Sequence, residues 1–360
     1  MNFKITSRAP GRICLFGDHQ DYLKLPIIAC AINRHITIDA ERNDQGIFNI
    51  QMNDLNQSVK IPIDKQNIKV EKDDYLLIAL KVLRRHGCIP NSGYNVSISG
   101  DIPINAGLSS SSALTIAWIN FLVTVFGIDG EFSPIRLAKL AYETEVIERN
   151  SSGGKMDQFT ISLGNLIYLN TDDDSHVLFS KSIGNLIVGV SGIDKDTFGV
   201  LASLKTKALK AINQVKSTIA DFEIKKSEIQ NLEEYLTLID PELKPYLSAG
   251  IKNYFITKAA YQELKKESSD INHLGDLMNK HHLLLRDNLK ITVPRIDAMI
   301  ENSLNAGAIG AKIIGSGGGG CIVAISEPGN EEKIIYEIKK AGAVDAFLIK
   351  ESGGALVYNK

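Results

Sequence analysis

Two stretches of this sequence concentrate side chains that could act on a polar small molecule. Residues 8–22, RAPGRICLFGDHQDY, gather Arg12, Asp18, His19 and Asp21 around two glycines. Carboxylates and imidazoles hydrogen-bond vicinal hydroxyls, and a polyol needs several such groups converging. By spacing alone an Asx-rich turn with solvated charges is an equal reading. Residues 153–158, GGKMDQ, set Asp157 just past two glycines and before an apolar segment. A carboxylate there could accept a hydroxyl proton. A cation such as Arg12 nearby would keep it ionised and would offset charge on a transferring phosphoryl group. The plainer use of Asp157 is as N-cap of the segment 158–163. Glu145, on the preceding predicted helix, could reach Mg²⁺, although a solvated helix face is the simpler role.

Two glycine-rich stretches suit phosphate. In 103–113, PINAGLSSSSA, Gly107 permits a tight turn and four serines offer hydroxyls and free N–H groups at a predicted helix start. Such an end carries unsatisfied donors and a partial positive charge. It is neither a Walker A motif nor GxGxxG, and a serine N-cap after a flexible turn would produce the same letters. In 314–321, IGSGGGGC, glycines interrupt two strand-like segments. Glycine is unfavourable inside a strand, so the run needs a reason: close approach of another backbone or of a phosphate chain is one, and a flexible hairpin is the alternative.

The elements that must position these groups follow from periodicity. The first hundred residues read mostly as strands, clearest at 27–40 and 93–99. Residues 74–87 turn helical and end in Arg84, Arg85, His86 and Gly87, a helix C-terminus. Leu114, Ala117, Trp118, Phe121, Leu122 and Val125 share one face of a buried helix. A further helix is predicted over 134–149 and a strand over 165–169. Beyond about 183 a second unit begins with a strand at 185–191. A helix-rich stretch to about 304 follows, and then an α+β ending with strands near 312, at 321–325 and 344–349 and a helix over 331–341.

Bulk properties bound the classes. The 360 residues suffice for two domains. A formal net charge of -2 provides no global field for nucleic acid or an anionic membrane. Four cysteines without CxxC spacing predict reduced thiols rather than a zinc or disulfide framework. No signal peptide or membrane-spanning run is evident, so the expected location is the cytoplasm.

In order and spacing, these four segments resemble the GHMP kinase superfamily. PINAGLSSSSA resembles its phosphate loop and KIIGSGGGGC its C-terminal glycine motif. APGRICLFGDHQDY is similar to the galactokinase signature APGRVNLIGEHTDY, and SSGGKMDQF to CGIMDQF. The resemblance implies a two-domain α+β fold: an N-terminal domain like ribosomal protein S5 domain 2, over 1–183, and a ferredoxin-like C-terminal domain, over 184–360. ATP would lie between them. It implies Arg12 and Asp157 as the catalytic pair, and Asp18, His19, Asp21 and Gly154 at the sugar. Gly107, Leu108, Ser109, Ser110, Ser111 and Ser112, with Gly317 and Gly318, would wrap the triphosphate, and Ser111 and Glu145 would face Mg²⁺. The implied reaction is phosphorylation of a monosaccharide at its anomeric hydroxyl. Asp18 where the signature has glutamate, a shorter loop after Tyr22, and Lys155 in a GKQDQ-like setting leave other sugars open: a uronic acid, arabinose, an N-acetylhexosamine or a heptose. A catalytically silent sugar sensor is the alternative from another class, and an intact Arg12 and Asp157 argue against it.

Overall fold

The computed structural model describes residues 4–63, 74–180, 183–194 and 197–359. Among these residues the chain builds two sheets. The larger begins with two long antiparallel strands, β1 (Ile5–Phe16) and β2 (Ile27–Asn43). It continues with β3 (Ile47–Met52), β4 (Gln57–Pro62), β5 (Gly93–Gly100), β6 (Leu166–Leu169) and β7 (His176–Phe179). The smaller sheet holds β8 (Asn185–Val190), β9 (Gly310–Ile314), β10 (Cys321–Ser326) and β11 (Asp345–Ile349), in the order β11-β8-β10-β9. With helices after its first and third strands, this is the split βαβ arrangement of ferredoxin-like folds. The last strand, β12 (Leu356–Asn359), returns to the larger sheet and pairs with β1, Ile5 standing opposite Asn359.

The helices are α1 (Tyr75–Arg85), α2 (Ser110–Phe126), α3 (Pro134–Tyr142), α4 (Met156–Leu163), α5 (Thr197–Thr218), α6 (Leu232–Thr237), α7 (Lys244–Lys265), α8 (Ile271–Leu283), α9 (Pro294–Asn305) and α10 (Glu331–Lys340). The α1 helix starts where Asp74 accepts the Leu77 N–H. It ends on Arg84 and Arg85 ahead of Gly87, whose φ is +84°. Two expectations are refined. The α2 helix is not apolar on one face only: Ser112 to Val123 is buried on nearly every side, Leu114 excepted, because the helix runs through the middle of the first unit against β1, β2, α1, α3 and α4. The helix predicted over 134–149 is α-helical only to Tyr142 and then widens into a π-turn over Glu143–Ile147. Such turns often mark functional positions. Among the described residues no helix is long and apolar enough to cross a membrane.

Residues 350–355 run from the smaller sheet across the larger one. Asn33 N–H donates to Lys350 O, Ala355 N–H donates to Ile161 O, and Gly164 bridges Gly353. Gly164 has φ +78°, and a Cβ on it would sit 2.0 Å from the Gly354 nitrogen. Overpacking together with a left-handed non-glycine residue should make Gly164→Ala destabilising by about 2–5 kcal/mol. Urea denaturation checks this, and an unchanged midpoint would mean that the crossing segment does not pack there.

Candidate active site

The site is organised by an ion pair between residues 145 positions apart. Arg12, on β1, is buried; its Nε donates to Asp157 Oδ1 at 2.7 Å and its Nη1 to the Gly107 carbonyl at 2.5 Å. Its backbone N–H also donates to Leu108 O. One residue therefore holds both the glycine-serine loop and the Asp157 carboxylate. Gly11 beside it is closely packed, since a Cβ there would lie 3.0 Å from Leu108 O. Burial works against the Arg12 charge, but Asp157 outweighs it and the guanidinium pKa is raised.

Asp157 is not the N-cap. It lies in the first turn of α4, after Lys155 at the cap, and Lys155 makes no side-chain capping bond. Its second oxygen accepts from Ser109 Oγ at 2.5 Å. The side chain keeps 26% of its surface exposed, so a small substrate can reach it. Ser109 is likewise no ordinary N-cap. It precedes α2 in a left-handed conformation, φ +60°, and its hydroxyl turns to Asp157 instead of to the helix N–H groups. Those N–H groups are left pointing out of the helix start. A left-handed non-glycine residue costs about 1–3 kcal/mol and persists only where its surroundings impose it.

Glu145 lies in the π-turn and is buried. It accepts from Ser112 Oγ at 2.8 Å, Thr115 Oγ1 at 3.0 Å and Gln158 Nε2 at 2.5 Å. Burial raises its pKa, and these donors oppose the rise. Ser112, one residue past the expected Ser111, is the serine that reaches it; the Ser111 side chain is exposed and faces Tyr75.

The turn after β1 divides its polar groups between two neighbours. Asp21 lies against the Asp157 segment: Met156 N–H points to its Oδ2 at 3.4 Å, and a Cβ on Gly154 would sit 2.3 Å from its carboxyl carbon. Burial, and then the Asp157 charge, push the Asp21 pKa up to about 6. Thr171 Oγ1 donates to Leu25 O, tying the 171–175 loop over this turn, and Lys155 Nζ pairs with Asp174 at 2.5 Å. Asp18 faces the other way. Its Oδ2 accepts from Lys312 Nζ at 2.6 Å and its Oδ1 from the Gly315 N–H at 3.2 Å. His19, with φ +61°, is buried beside the Gly315 and Ser316 backbone, and burial depresses its pKa to about 4. The structure thus gives Asp18 and His19 neighbours other than the Asp21 and Asp157 group they were expected to join.

The C-terminal glycines approach protein backbone. A Cβ on Gly317 would meet the Ile291 side chain at 2.4 Å, and one on Gly319 would meet Ile193 O at 2.5 Å. Gly318 N–H donates to Ile291 O and Gly320 N–H to Ile193 O. Gly318 itself has nothing within 4 Å of a built Cβ, so this position faces open space.

Comparison with known proteins decides the family. The GHMP kinases N terminal domain matches residues 74–165, the GHMP kinases C terminal domain matches 260–344, and the galactokinase galactose-binding signature matches 2–42. The chain belongs to the GHMP kinases. It is 28% identical over 349 residues to a mevalonate kinase of Pyrococcus abyssi, covering 94% of this chain and 93% of that one. To a galactokinase of Actinobacillus succinogenes it is 28% identical over 365 residues, covering 95% and 91%. In fold it is similar to Lactococcus lactis galactokinase complexed with galactose, TM-score 0.86 at 20% identity, with 98% and 95% of the two chains covered. A mevalonate kinase structure superposes with TM-score 0.69 at 24% identity, covering 96% and 98%. GHMP kinases are ATP-dependent phosphotransferases, so this GHMP kinase carries a phosphotransferase fold.

Sequence reasoning missed three residues of this GHMP kinase's candidate site, and Ser109, expected at the phosphates, also holds Asp157. Gln158 adjoins Asp157, but nothing in its spacing reveals that it holds Glu145. Thr115 is one turn beyond Ser111 on α2, where a polar residue in an apolar helix was a usable signal. Lys312 gave the clearest signal: a lone lysine in the apolar run GAKII.

Proposed function

We propose that this chain transfers the γ-phosphoryl group of ATP to a hydroxyl of a neutral monosaccharide, most simply the anomeric hydroxyl of a galactose-like sugar. The observation that carries the reading is the pair of carboxylates, Asp21 and Asp157, beside the Gly154 turn. Two anionic side chains suit an acceptor that donates hydroxyl hydrogens and disfavour one that brings its own carboxylate, as mevalonate does. The galactose-binding signature over 2–42 and the relatives named galactokinase support the same reading.

Asp157 would orient the attacking hydroxyl and take its proton. Arg12, already against Asp157, would counter charge on the transferring group. Phosphoryl transfer rests mainly on positioning and charge neutralisation. The α2 N-terminus, through the 107–112 backbone and hydroxyls, would cradle the phosphates, with Gly318 opposite. The acceptor and nucleotide would meet where the two sheets approach, between domains spanning 1–183 and 184–360. Glu145 with the Ser112 hydroxyl fits Mg²⁺: the ion is commonly held by one or two carboxylates plus substrate phosphates, and Glu145 is already oriented by three donors. Bound there, Mg²⁺ would neutralise the β- and γ-oxygens.

An ADP-release assay over a panel of neutral sugars, uronic acids, phosphorylated heptoses and mevalonate tests the proposal, with phosphorus NMR of the product. Turnover of a neutral sugar to a sugar 1-phosphate is expected. Turnover of mevalonate alone would overturn the acceptor class. A product phosphorylated elsewhere would overturn the anomeric assignment.

The raised pKa of Asp21 gives a pH signature. Its ionised form accepts acceptor hydroxyls, and it gains that form as pH rises through about 6. The acceptor kcat/KM should therefore fall below about pH 6, and Asp21→Asn should lower its plateau and remove that limb. A limb that survives in Asp21→Asn would assign it to another group.

A further inference from the structure

The Asp18 carboxylate is committed within the protein. Only 1% of its side chain is exposed, and each oxygen already has a donor from the smaller sheet or the loop that follows it. Lys312 is fully buried on β9, among the apolar residues Ala311, Ile313 and Ile314. Its ammonium has Asp18 and the Cys14 carbonyl, at 3.0 Å, as partners. A buried ammonium without an anionic partner is costly, so the two residues stand or fall together. Of the other titratable groups near the pair, Arg12 is charged and is favoured by Asp18, whereas the buried imidazoles and the thiol are held neutral. Burial depresses His281, stacked on Phe16, to about 3, and it depresses His282 and His19 to about 4; burial pushes the Cys14 thiol up.

The loop that leaves β9 is the one whose Gly318 faces open space. Its ties include Gly315 on Asp18, Gly318 on Ile291 and Gly320 on Ile193, and His19 lies against the Gly315 and Ser316 backbone. Two of these ties are backbone to backbone within the second unit. Asp18 supplies a tie from the first unit, through a side chain. His19, in a left-handed conformation, reverses the chain immediately after Asp18. Asp18 consequently faces the glycine loop, whereas Asp21 faces Gly154 and Asp157.

We propose that Asp18 and Lys312 are a positioning pair that seats the 315–320 glycine loop against the first unit, so that Asp18 acts on nucleotide binding and not on the acceptor's hydroxyls. The proposal rests on the ATP-dependent phosphoryl-transfer reading above. It divides the residues of one short turn between two substrates: Asp18 serves the nucleotide through the loop, and Asp21 serves the acceptor.

The test uses the full chain with Asp18→Asn, Lys312→Met, the double variant and Lys312→Arg. ATP and acceptor are varied separately, and a non-hydrolysable ATP analogue with Mg²⁺ is titrated calorimetrically. Breaking a buried charge pair should raise the KM for ATP and the analogue Kd by about tenfold or more in each single charge-removing variant, with the acceptor KM within about twofold. The double variant, which leaves no buried charge, should be no worse than the weaker single, because the two residues act as one unit. Lys312→Arg, which keeps the charge, should lie nearest to wild type. Should Asp18→Asn alone fail to fold, by its circular dichroism melt, the double variant and Lys312→Arg decide. An acceptor KM that rises while analogue affinity stays constant would overturn the proposal. Additive effects, or unchanged nucleotide affinity, would do the same. If wild type binds the analogue yet phosphorylates no sugar, the acceptor reading fails, and the titrations still decide the pair. A wild type that binds no nucleotide overturns both.

Discussion

Asp157→Asn should lower kcat on the correct acceptor by about 10²–10⁴-fold while both substrates still bind. The change is nearly isosteric, and the Ser109 hydroxyl and Arg12 Nε both donate to this side chain. An amide can accept one of those bonds and must turn its NH₂ toward the other donor. The substitution therefore removes the proton acceptor and loosens the loop contact together. Rapid-quench kinetics would separate these effects: loss of proton acceptance slows the chemical step, whereas a displaced loop also weakens ATP binding. Near-wild-type kcat would remove Asp157 from the chemistry and leave it as the anchor of Arg12.

The second large effect is expected at Arg12. Arg12→Met should reduce kcat by about 10³-fold or more, the scale on which a charge-stabilising arginine contributes to phosphoryl transfer. The cost has two sources: the acceptor-side carboxylate loses its cation, and the Gly107 carbonyl loses a donor inside the fold. Arg12→Lys should recover only part of the loss. A lysine presents one ammonium, and here the guanidinium spans two partners on different elements with Nε and Nη1. Combining Arg12→Met with Asp157→Asn should cost little more than the worse single change, since both act on one transition state. Strictly multiplicative losses would show that the pair does not work as a unit.

Much of this architecture was legible because turns, caps and amphipathic periods are local. Glycine at 87, the helical period from 74 and the alternation in 93–99 each determine a boundary using near neighbours, and the structure places those boundaries within a residue or so. The glycine-serine loop and the Asp157 turn were legible for the same reason, through glycines and serines that no regular element would choose. What could not be read is which groups meet. Asp18 and Lys312 are 294 positions apart, and Arg12 finds Asp157 across 145. Such pairings are fixed by sheet order and domain packing, which leave no mark on short-range spacing. The π-turn that sets Glu145 among Ser112, Thr115 and Gln158 was also hidden, because one extra residue in a helical turn barely disturbs the apolar period. The first motif looked like a polar turn because arginines, proline and glycines crowd it; in the fold residues 5–16 are a strand, and the turn begins only at Gly17.

The crossing of residues 350–355 and the return of β12 to β1 bear on how the protein is made. Translation delivers β1 first, and β2 can pair with it at once, yet the other edge of β1 waits for residues more than three hundred positions later. Lys312, which neutralises Asp18, also emerges late. On the ribosome the amino-terminal half therefore carries an open strand edge and an acid without its lysine partner through most of synthesis. A frameshift or nonsense codon between Ile349 and Leu356 would leave that edge bare in the released product. Such a product, nearly full in length, would be a natural client for chaperones and proteases and a seed for edge-to-edge aggregation.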